Sequence, residues 1–515
     1  MSQQRSLAVG HGTEIPPSAA ADETLAVCVF ADAPRLPDAP RLGALRGVCE
    51  EASADAGFRG EEGDVLLLHA ADPGRGEGGG TDGAAAGPAR RVLLVGLGDH
   101  ADFGERALRR AAGAAARAAR RPRGGALHLV LPEAVGHDAT ALARAAAEGA
   151  HLGLYENAFY QTSEEGGPRL ERLVVVTAAG APGLGEEFER ARVVAESANW
   201  ARSLADEPGL SLPPREFARR AAEMAAEFGL AVESLSAEEI RARGMGGLLG
   251  VGQGSDEEPA LIVVRYEPEG GRAAGAEEEG PWAFVGKGIT FDTGGISIKH
   301  GLDMYEMKAD MAGGAAVLGA MRAVAHLKPA RRLVGVVPAA ENMPSGKAIK
   351  PGDVVRTLAG HTIEVVDTDA EGRLVLVDGI AYARQLGATR IVDLATLTGS
   401  IVVALGEHRT GLFSNDDEWA ASVAAAAARA GEPVWRMPVS DDYEKRIESM
   451  IADFKNYGGR PDATGAALLL SKFAGDTPWV HLDIAGTSWL DAPRPDAPKG
   501  STGTGVRTLV ELACG

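Results

Sequence analysis

The sequence of 515 residues is short of cysteine, aromatic residues and lysine, and each shortage excludes something. Cys28, Cys49 and Cys514 are its three cysteines, with no C-x-x-C spacing, so neither a disulfide framework nor a thiolate zinc site is expected. A reducing, cytoplasmic location fits. Aromatic residues make up 5% of the chain, leaving few platforms on which bases could stack. No apolar run reaches the roughly 18 residues of a membrane span. Residues 1–21 are polar and lack the basic-then-apolar pattern of a secretory leader; they read as a flexible N-terminus.

Basic residues are also in deficit. Against 72 Asp and Glu there are 52 Lys and Arg, a net charge of −20 that disfavours nonspecific affinity for nucleic acid or an anionic membrane. Ten of those 52 are lysine, and none precedes Lys287. In a chain that uses arginine wherever plain positive charge suffices, a retained lysine points to a compact ammonium, or to a neutral amine that arginine cannot supply. A general bias toward Ala, Gly and Arg is the plainer explanation.

Several catalytic devices are missing as well. There is no H-E-x-x-H, G-x-S-x-G or Ser-x-x-Lys, and Gly500 to Gly505 lacks the Lys-Ser/Thr of a phosphate loop. Gly96-Leu97-Gly98 follows an apolar run, yet Ala101 stands where a dinucleotide fingerprint needs glycine, so a strand-ending turn is the better reading. The scattered histidines make a His-built zinc site or a Ser-His hydrolase a poor match.

What remains is an α/β pattern in two parts. Apolar runs at 24–30, 64–69, 91–96, 126–131 and 173–177 alternate with helical segments at 105–121 and 138–153, predicting a smaller domain over 22–186 with a mainly parallel sheet. Residues 72–87 read as a Gly-rich loop. An amphipathic helix and a Pro-rich stretch over 187–214 form the boundary. Residues 215–515 form the larger domain, a central mixed sheet flanked by helices, with strands at 260–266, 282–285, 332–337, 390–393 and 478–483. The span 267–280 reads as a hairpin insertion.

Polar residues punctuate the strand ends of this second domain. Lys287, Asp292 and Lys299 lie on a run that turns at Gly294-Gly295; Asp310 opens a helix rich in small residues; Asp369, Glu371 and Arg373 follow the apolar Val365-Val366. Each alone is explained as a turn, a helix-start charge or a solvated loop. Together, Asp292, Asp310, Asp369 and Glu371 make four carboxylates at the strand ends of one α/β domain, where such folds place their sites. Gathered in a cleft they repel one another unless cations neutralise them, and oxygen-rich sets of this kind suit two bridged divalent ions that activate a water.

The segments Gly286-Lys287-Gly288-Ile289-Thr290-Phe291-Asp292-Thr293-Gly294-Gly295 and Thr368-Asp369-Ala370-Glu371-Gly372-Arg373-Leu374, with Lys299 and Asp310, closely resemble those of the leucyl aminopeptidases, the cytosol aminopeptidase family of two-metal exopeptidases. Ala395-Thr396-Leu397-Thr398-Gly399, Gly458-Gly459-Arg460 and His481-Leu482-Asp483-Ile484-Ala485-Gly486 support the match, which is dense from about Trp200 onward and architectural before it. The resemblance implies that Lys287, Asp292, Asp310, Asp369 and Glu371 ligate two divalent ions, manganese or zinc foremost. Lys299 would be the electrophile, and Arg373 would hold a bicarbonate as general base. Met307, Thr396 and Leu397 would line the pocket for the N-terminal side chain of a peptide substrate. A homo-hexamer is implied too. Two departures stand out: Asp367 where the family has Asn, and Asp206-Glu207-Pro208 where it has Asn-x-Pro. A DNA-binding architectural role, known in some relatives, is the competing expectation; its one candidate patch is the Arg-rich segment 105–121, which a solvated helix face explains more simply.

Overall fold

The structure is a computed structural model that describes residues 7–13, 23–33, 45–70, 90–122, 124–132, 136–162, 169–177, 182–268 and 280–515. The Gly-rich segment 72–87, most of the expected insertion at 267–280 and much of the N-terminal 1–21 lie outside these residues. The chain divides into two compact units, Met1–Glu196 with Ala492–Lys499, and Ser197–Asp491 with Gly500–Gly515. Among the described residues no helix is long and apolar enough to cross a membrane.

In the first unit, strands β1 (Ala8–Gly12), β2 (Glu23–Val29), β3 (Val65–Ala70), β4 (Arg90–Gly96), β5 (Ala126–Val130) and β6 (Arg172–Val176) form one sheet in the order β1-β6-β5-β2-β4-β3. All neighbours are parallel except β3 and β4. Burial runs unbroken along β5 and nearly so along β2, as expected of parallel strands covered on both faces. Helices α1 (Leu45–Asp55), α2 (Glu105–Ala119) and α3 (Ala139–Gly153) connect them. Strand β1 falls inside the segment expected to be flexible and pairs in parallel with β6. Helix α2 carries the arginines of the candidate basic patch, and Arg109, Arg110, Arg117 and Arg120 each pair with a carboxylate, from Glu148, Glu62 or Glu156. They do not present an uncompensated basic face.

Helix α4 (Leu184–Asp206) contains the point at which the two units divide, and α5 (Pro214–Phe228) follows. The second unit then runs β7 (Ala231–Leu235), α6 (Ala237–Arg243), α7 (Gly246–Gly252), β8 (Ala260–Tyr266), β9 (Trp282–Gly286), β10 (Gly288–Asp292), α8 (Ala312–Leu327) and β11 (Leu333–Asn342). After β12 (Val354–Arg356) and β13 (Thr362–Glu364) come α9 (Gly372–Gln385), β14 (Arg390–Ala395), α10 (Gly399–Leu405), β15 (Thr410–Ser414), α11 (Asp417–Ala430) and β16 (Val434–Arg436). The remainder comprises β17 (Phe454–Lys455), α12 (Asp462–Ala474), β18 (Trp479–Asp483) and α13 (Val506–Cys514).

The main sheet has the order β16-β15-β18-β14-β9-β11-β8-β7, with β10 also paired to β11. Its centre is parallel, from β18 through β14 and β9 to β11, and antiparallel pairings at β15–β18, β11–β8 and β8–β7 make it mixed. Strands β9, β14 and β18 are apolar and buried almost throughout because helices cover both faces. Their carboxyl ends therefore open together on one side, and the polar residues that end each apolar run meet there.

One buried carboxylate anchors the helix that follows the site loop. Asp378, fully buried on α9, accepts hydrogen bonds from Leu248 N on α7 at 2.9 Å and from Leu358 N beyond β12 at 2.8 Å. Burial pushes its carboxyl up to about 7, against the pull of those backbone donors. The folded state thus holds this proton over an interval in which the unfolded chain has released it, so the contribution of Asp378 to stability falls as pH rises from about 4 to about 7. Asp378→Asn is expected to flatten that part of the stability profile, measured by urea unfolding across the range. Asp378→Ala, which strands both buried N–H groups, is expected to cost about 1–3 kcal/mol for each.

Candidate metal centre

The site gathers at the carboxyl ends of β9, β10, β11 and β14, the position that open α/β sheets use for ligands. Strand β9 delivers Lys287, β10 ends on Asp292, β11 ends on Asn342, and β14 leads into Thr396 and Leu397. A 3-10 turn (Met304–Ala309) precedes Asp310, and Asp369 and Glu371 lie in the loop before α9.

Two lysines organise four carboxylates. Lys287 Nζ lies 2.8 Å from both oxygens of Asp310 and 2.7 Å from Glu371 Oε1, and it donates to Thr396 O at 3.0 Å. Lys299 Nζ lies 2.8 Å from Asp292 Oδ2 and 2.5 Å from Asp369 Oδ1. Single oxygens of Asp292, Asp369 and Glu371 all fall within 4.8 Å of one another. Burial pushes the carboxyls of Asp310 and Glu371 up, and the neighbouring Asp292 adds to both; burial likewise raises Asp369. For both lysines burial favours the neutral amine, yet the surrounding carboxylates outweigh it and hold them above the ordinary lysine range. Counted formally, two ammoniums leave two of the four carboxylate charges to be met by protons or by cations. Glu371 Oε2 is buried with no hydrogen-bond partner among the described residues.

Neutral donors fix the geometry. Asn342 Nδ2 donates to Asp292 Oδ1 at 2.8 Å and to Thr368 O at 3.0 Å, and Thr396 Oγ1 donates to Asp310 Oδ1 at 2.6 Å. Asp483 accepts from Leu397 N at 3.2 Å and from Thr398 Oγ1 at 2.7 Å, holding the loop that carries Thr396 and Leu397. Leu397 stands over Gly372, where an added Cβ would meet Leu397 Cδ1 at 3.0 Å. Met307 is half-buried on the 3-10 turn, and its carbonyl accepts from Asp310 N. Arg373 contacts none of the four carboxylates. Its Nη1 donates to Asn456 O at 2.7 Å and its Nη2 to Asp462 Oδ1 at 2.9 Å.

Of the residues expected in the site, Lys287, Asp310, Glu371 and Thr396 form one group and Lys299, Asp292 and Asp369 the other. Asn342, Asp462 and the loop-holding role of Asp483 were not foreseen. The two departures are local: Asp367 Oδ1 caps the loop by accepting from Asp369 N at 2.9 Å, and Asp206 Oδ1 accepts from Ser501 N at 2.9 Å.

A carboxylate cluster with a formal surplus of negative charge at these strand ends is a donor set that can hold divalent cations, and similarity to known proteins places the chain among the metal-dependent hydrolases. Residues 199–510 match the model of the cytosol aminopeptidase family catalytic domain, and residues 26–164 match that of its N-terminal domain. The chain is 45% identical over 477 residues to a probable cytosol aminopeptidase of Acidobacterium capsulatum, covering 92% of this chain and 90% of the relative. It is 49% identical over 426 residues to one of Solibacter usitatus, covering 82% and 87%. A mutant tomato leucine aminopeptidase superposes with a TM-score of 0.87 at 31% identity, covering 100% of this chain and 97% of that one. The bottromycin maturation enzyme BotP in complex with Mn does so with a TM-score of 0.80 at 35% identity, covering 96% and 99%. The chain belongs to the cytosol aminopeptidase family and is a metal-dependent aminopeptidase.

The approach of α8 to β9 positions Lys287. Gly314 N donates to Lys287 O at 2.7 Å, and a Cβ on Gly313 would lie 2.1 Å from Leu394 O, a backbone atom that cannot swing away. Gly313→Ala is therefore expected to cost about 3 kcal/mol or more and to weaken metal binding together with stability, read by denaturant unfolding and by titration with Mn2+.

Proposed function

We propose that this protein removes N-terminal residues, leucine among them, from peptides with a free α-amino group, with Lys287, Asp292, Asp310, Asp369 and Glu371 holding two divalent ions. The observation that carries the reading is the gathering of four carboxylates about two lysines, a formal surplus of two negative charges, with Glu371 Oε2 left unpartnered among the described residues. All these ligand atoms are oxygen except one amine, a donor set that accepts manganese or zinc, with cobalt or magnesium as further candidates. When bound, such ions lower the pKa of a water and polarise the scissile carbonyl.

The chain's own groups supply the rest. Lys287 must lose its proton to offer a lone pair, which metal binding can drive and which arginine cannot follow. Lys299 is the more accessible of the two lysines, with 22% of its side chain exposed, and its ammonium can face the oxyanion that develops on the substrate carbonyl. Met307, Thr396 and Leu397 border the space for the N-terminal side chain. Arg373 keeps an anion beside the cluster; family likeness implies bicarbonate there, and a hexameric assembly.

Metal-stripped protein, assayed on a panel of amino-acid arylamides and re-supplied with each ion in turn, is expected to regain activity with Mn2+ or Zn2+; silence with all ions would overturn the reading. Lys287→Arg should bind one ion fewer per subunit, counted by elemental analysis. Lys299→Gln should lower kcat about 10²–10³-fold with KM little changed, as for removal of an oxyanion donor.

A further inference from the structure

We propose that the Asp367 carboxylate gives the site a preference for peptides whose second residue, the one released with the new amino terminus, carries a cationic side chain. The inference rests on the aminopeptidase reading above and concerns which peptides that site takes.

Asp367 is half-buried in the loop that carries Asp369, and its two oxygens are in different situations. Oδ1 accepts from Asp369 N at 2.9 Å; Oδ2 has no partner among the described residues, and no lysine or arginine there pairs with either oxygen. An asparagine could accept the same N–H through its carbonyl oxygen, so capping the loop does not account for the negative charge. That charge is set two residues from Asp369, beside a cluster with a formal surplus of two negative charges, where like charges repel. A cation brought by the substrate would relieve the repulsion.

The loop backbone is clamped in place. Buried Asn456 accepts through Oδ1 from Val366 N at 2.8 Å and from Asp367 N at 3.3 Å, and its Nδ2 donates to Asp367 O at 2.6 Å and to Ala370 O at 3.2 Å. Thr368 N donates to Ser297 Oγ at 3.2 Å, which ties the same loop to the turn that carries Lys299. A carboxylate so placed loses little freedom when it takes a partner.

The two groups of the cluster give the peptide a direction. Thr396, which borders the space proposed for the N-terminal side chain, contacts Asp310 and Lys287 at one end. Asp369 belongs to the other end, 2.5 Å from the Lys299 ammonium proposed to face the scissile carbonyl. A peptide running from the first group past Lys299 therefore carries its second residue toward Asp369, and the contact between Asp369 N and Oδ1 makes Asp367 the next anion along that path. There Oδ2 can accept a charge-assisted hydrogen bond from a lysine or arginine side chain, whereas an acidic second residue is repelled.

The test compares kcat/KM of metal-loaded wild type and Asp367→Asn on Leu-Lys-NH2, its side-chain-acetylated form, Leu-Gln-NH2 and Leu-Glu-NH2. Metal content and Tm are measured alongside. Acetylation removes the charge and keeps the stem, and the near-isosteric Asn keeps the acceptor for Asp369 N, so each isolates charge. Wild type is expected to favour Leu-Lys-NH2 over the acetylated form about tenfold, the scale of a charge-assisted hydrogen bond, and to take Leu-Glu-NH2 least readily. In Asp367→Asn the first ratio should fall to within about twofold of one. The wild-type ratio should also shrink several-fold between about 0.05 and 0.5 M NaCl, because a half-exposed pair is screened; this second reading holds even if the variant fails to fold. A wild type that cleaves both lysine peptides equally, or a preference untouched by Asp367→Asn or by salt, would overturn the proposal and leave the aminopeptidase reading standing. A wild type that cleaves none of the four with Mn2+ or Zn2+ supplied would sink that reading, and this inference with it.

Discussion

Crowding of four carboxylates, three of them buried, against two ammoniums is the constraint around which the second unit is built. In a medium of low effective dielectric such charges interact strongly, so the arrangement requires that every group be fixed and that the surplus be met by protons or cations. The lysines meet half of it. Each bridges two carboxylates drawn from different segments, Lys287 joining Asp310 to Glu371 and Lys299 joining Asp292 to Asp369. The same four contacts that tie the loops together also fix where each carboxyl stands.

Holding like charges close requires a stiff frame, and the frame is made of backbone. Apolar parallel strands end side by side, and their last residues inherit that rigidity. Gly294 and Gly295 adopt left-handed φ values of 84° and 64°, and a Cβ on Gly295 would lie 2.7 Å from Asn342 Oδ1. Glycine therefore lets the turn after β10 pass against the amide that orients Asp292. The turn is in addition laced to the 368 loop, since Ser297 N donates to Thr368 Oγ1 at 2.8 Å and Thr368 Oγ1 donates to Gly294 O at 2.6 Å. Two loops far apart in sequence are thereby fastened together, and they carry Asp292, Lys299 and Asp369 between them.

Where a polar residue directly ends an apolar strand, the amino-acid sequence alone reveals it. Lys287 and Asp292 stand out for that reason, and so do the buried central strands, whose continuous apolar character leaves little doubt about their state. Asn342 escaped because the strand reading stopped at Val337. Pro338, which cannot donate to a ladder, looks like a terminus, yet β11 continues through it to Asn342. Short strands such as β12, β13, β16 and β17 are two or three residues long, below any periodic signal. Strand β1, Ala-Val-Gly-His-Gly, is masked by its glycines and pairs with β6 far along the chain. Asp462 was hidden differently: as the residue after Pro461 it reads as a helix-start charge, and its partner lies 89 positions away. Non-local pairing of this sort has no local signature.

The distribution of lysine acquires a physical meaning in this setting. Arginine holds its proton in any protein environment, and its planar fork suits bidentate or stacked contacts. The site uses it that way at Arg373, where the guanidinium spans Asn456 O and Asp462. Lys287 faces a different demand. Its side chain is 4% exposed, packed so that a Cβ on Gly372 would approach Nζ to 2.8 Å, and it meets carboxylates from two segments at a single atom. A guanidinium is too wide for that space, and it could not give up its charge as the proposed metal ligation requires. Lys299 reaches Asp292 and Asp369 with one compact ammonium, and in the role proposed for it that charge would turn from those carboxylates toward a developing oxyanion. In a chain with 42 arginines steric width favours lysine at these two positions, and the proposed roles would add the ability to deprotonate or reorient, whereas Lys308, which donates to Asp206 O at 2.7 Å and lies over the Trp489 ring, satisfies a structural contact outside the cluster.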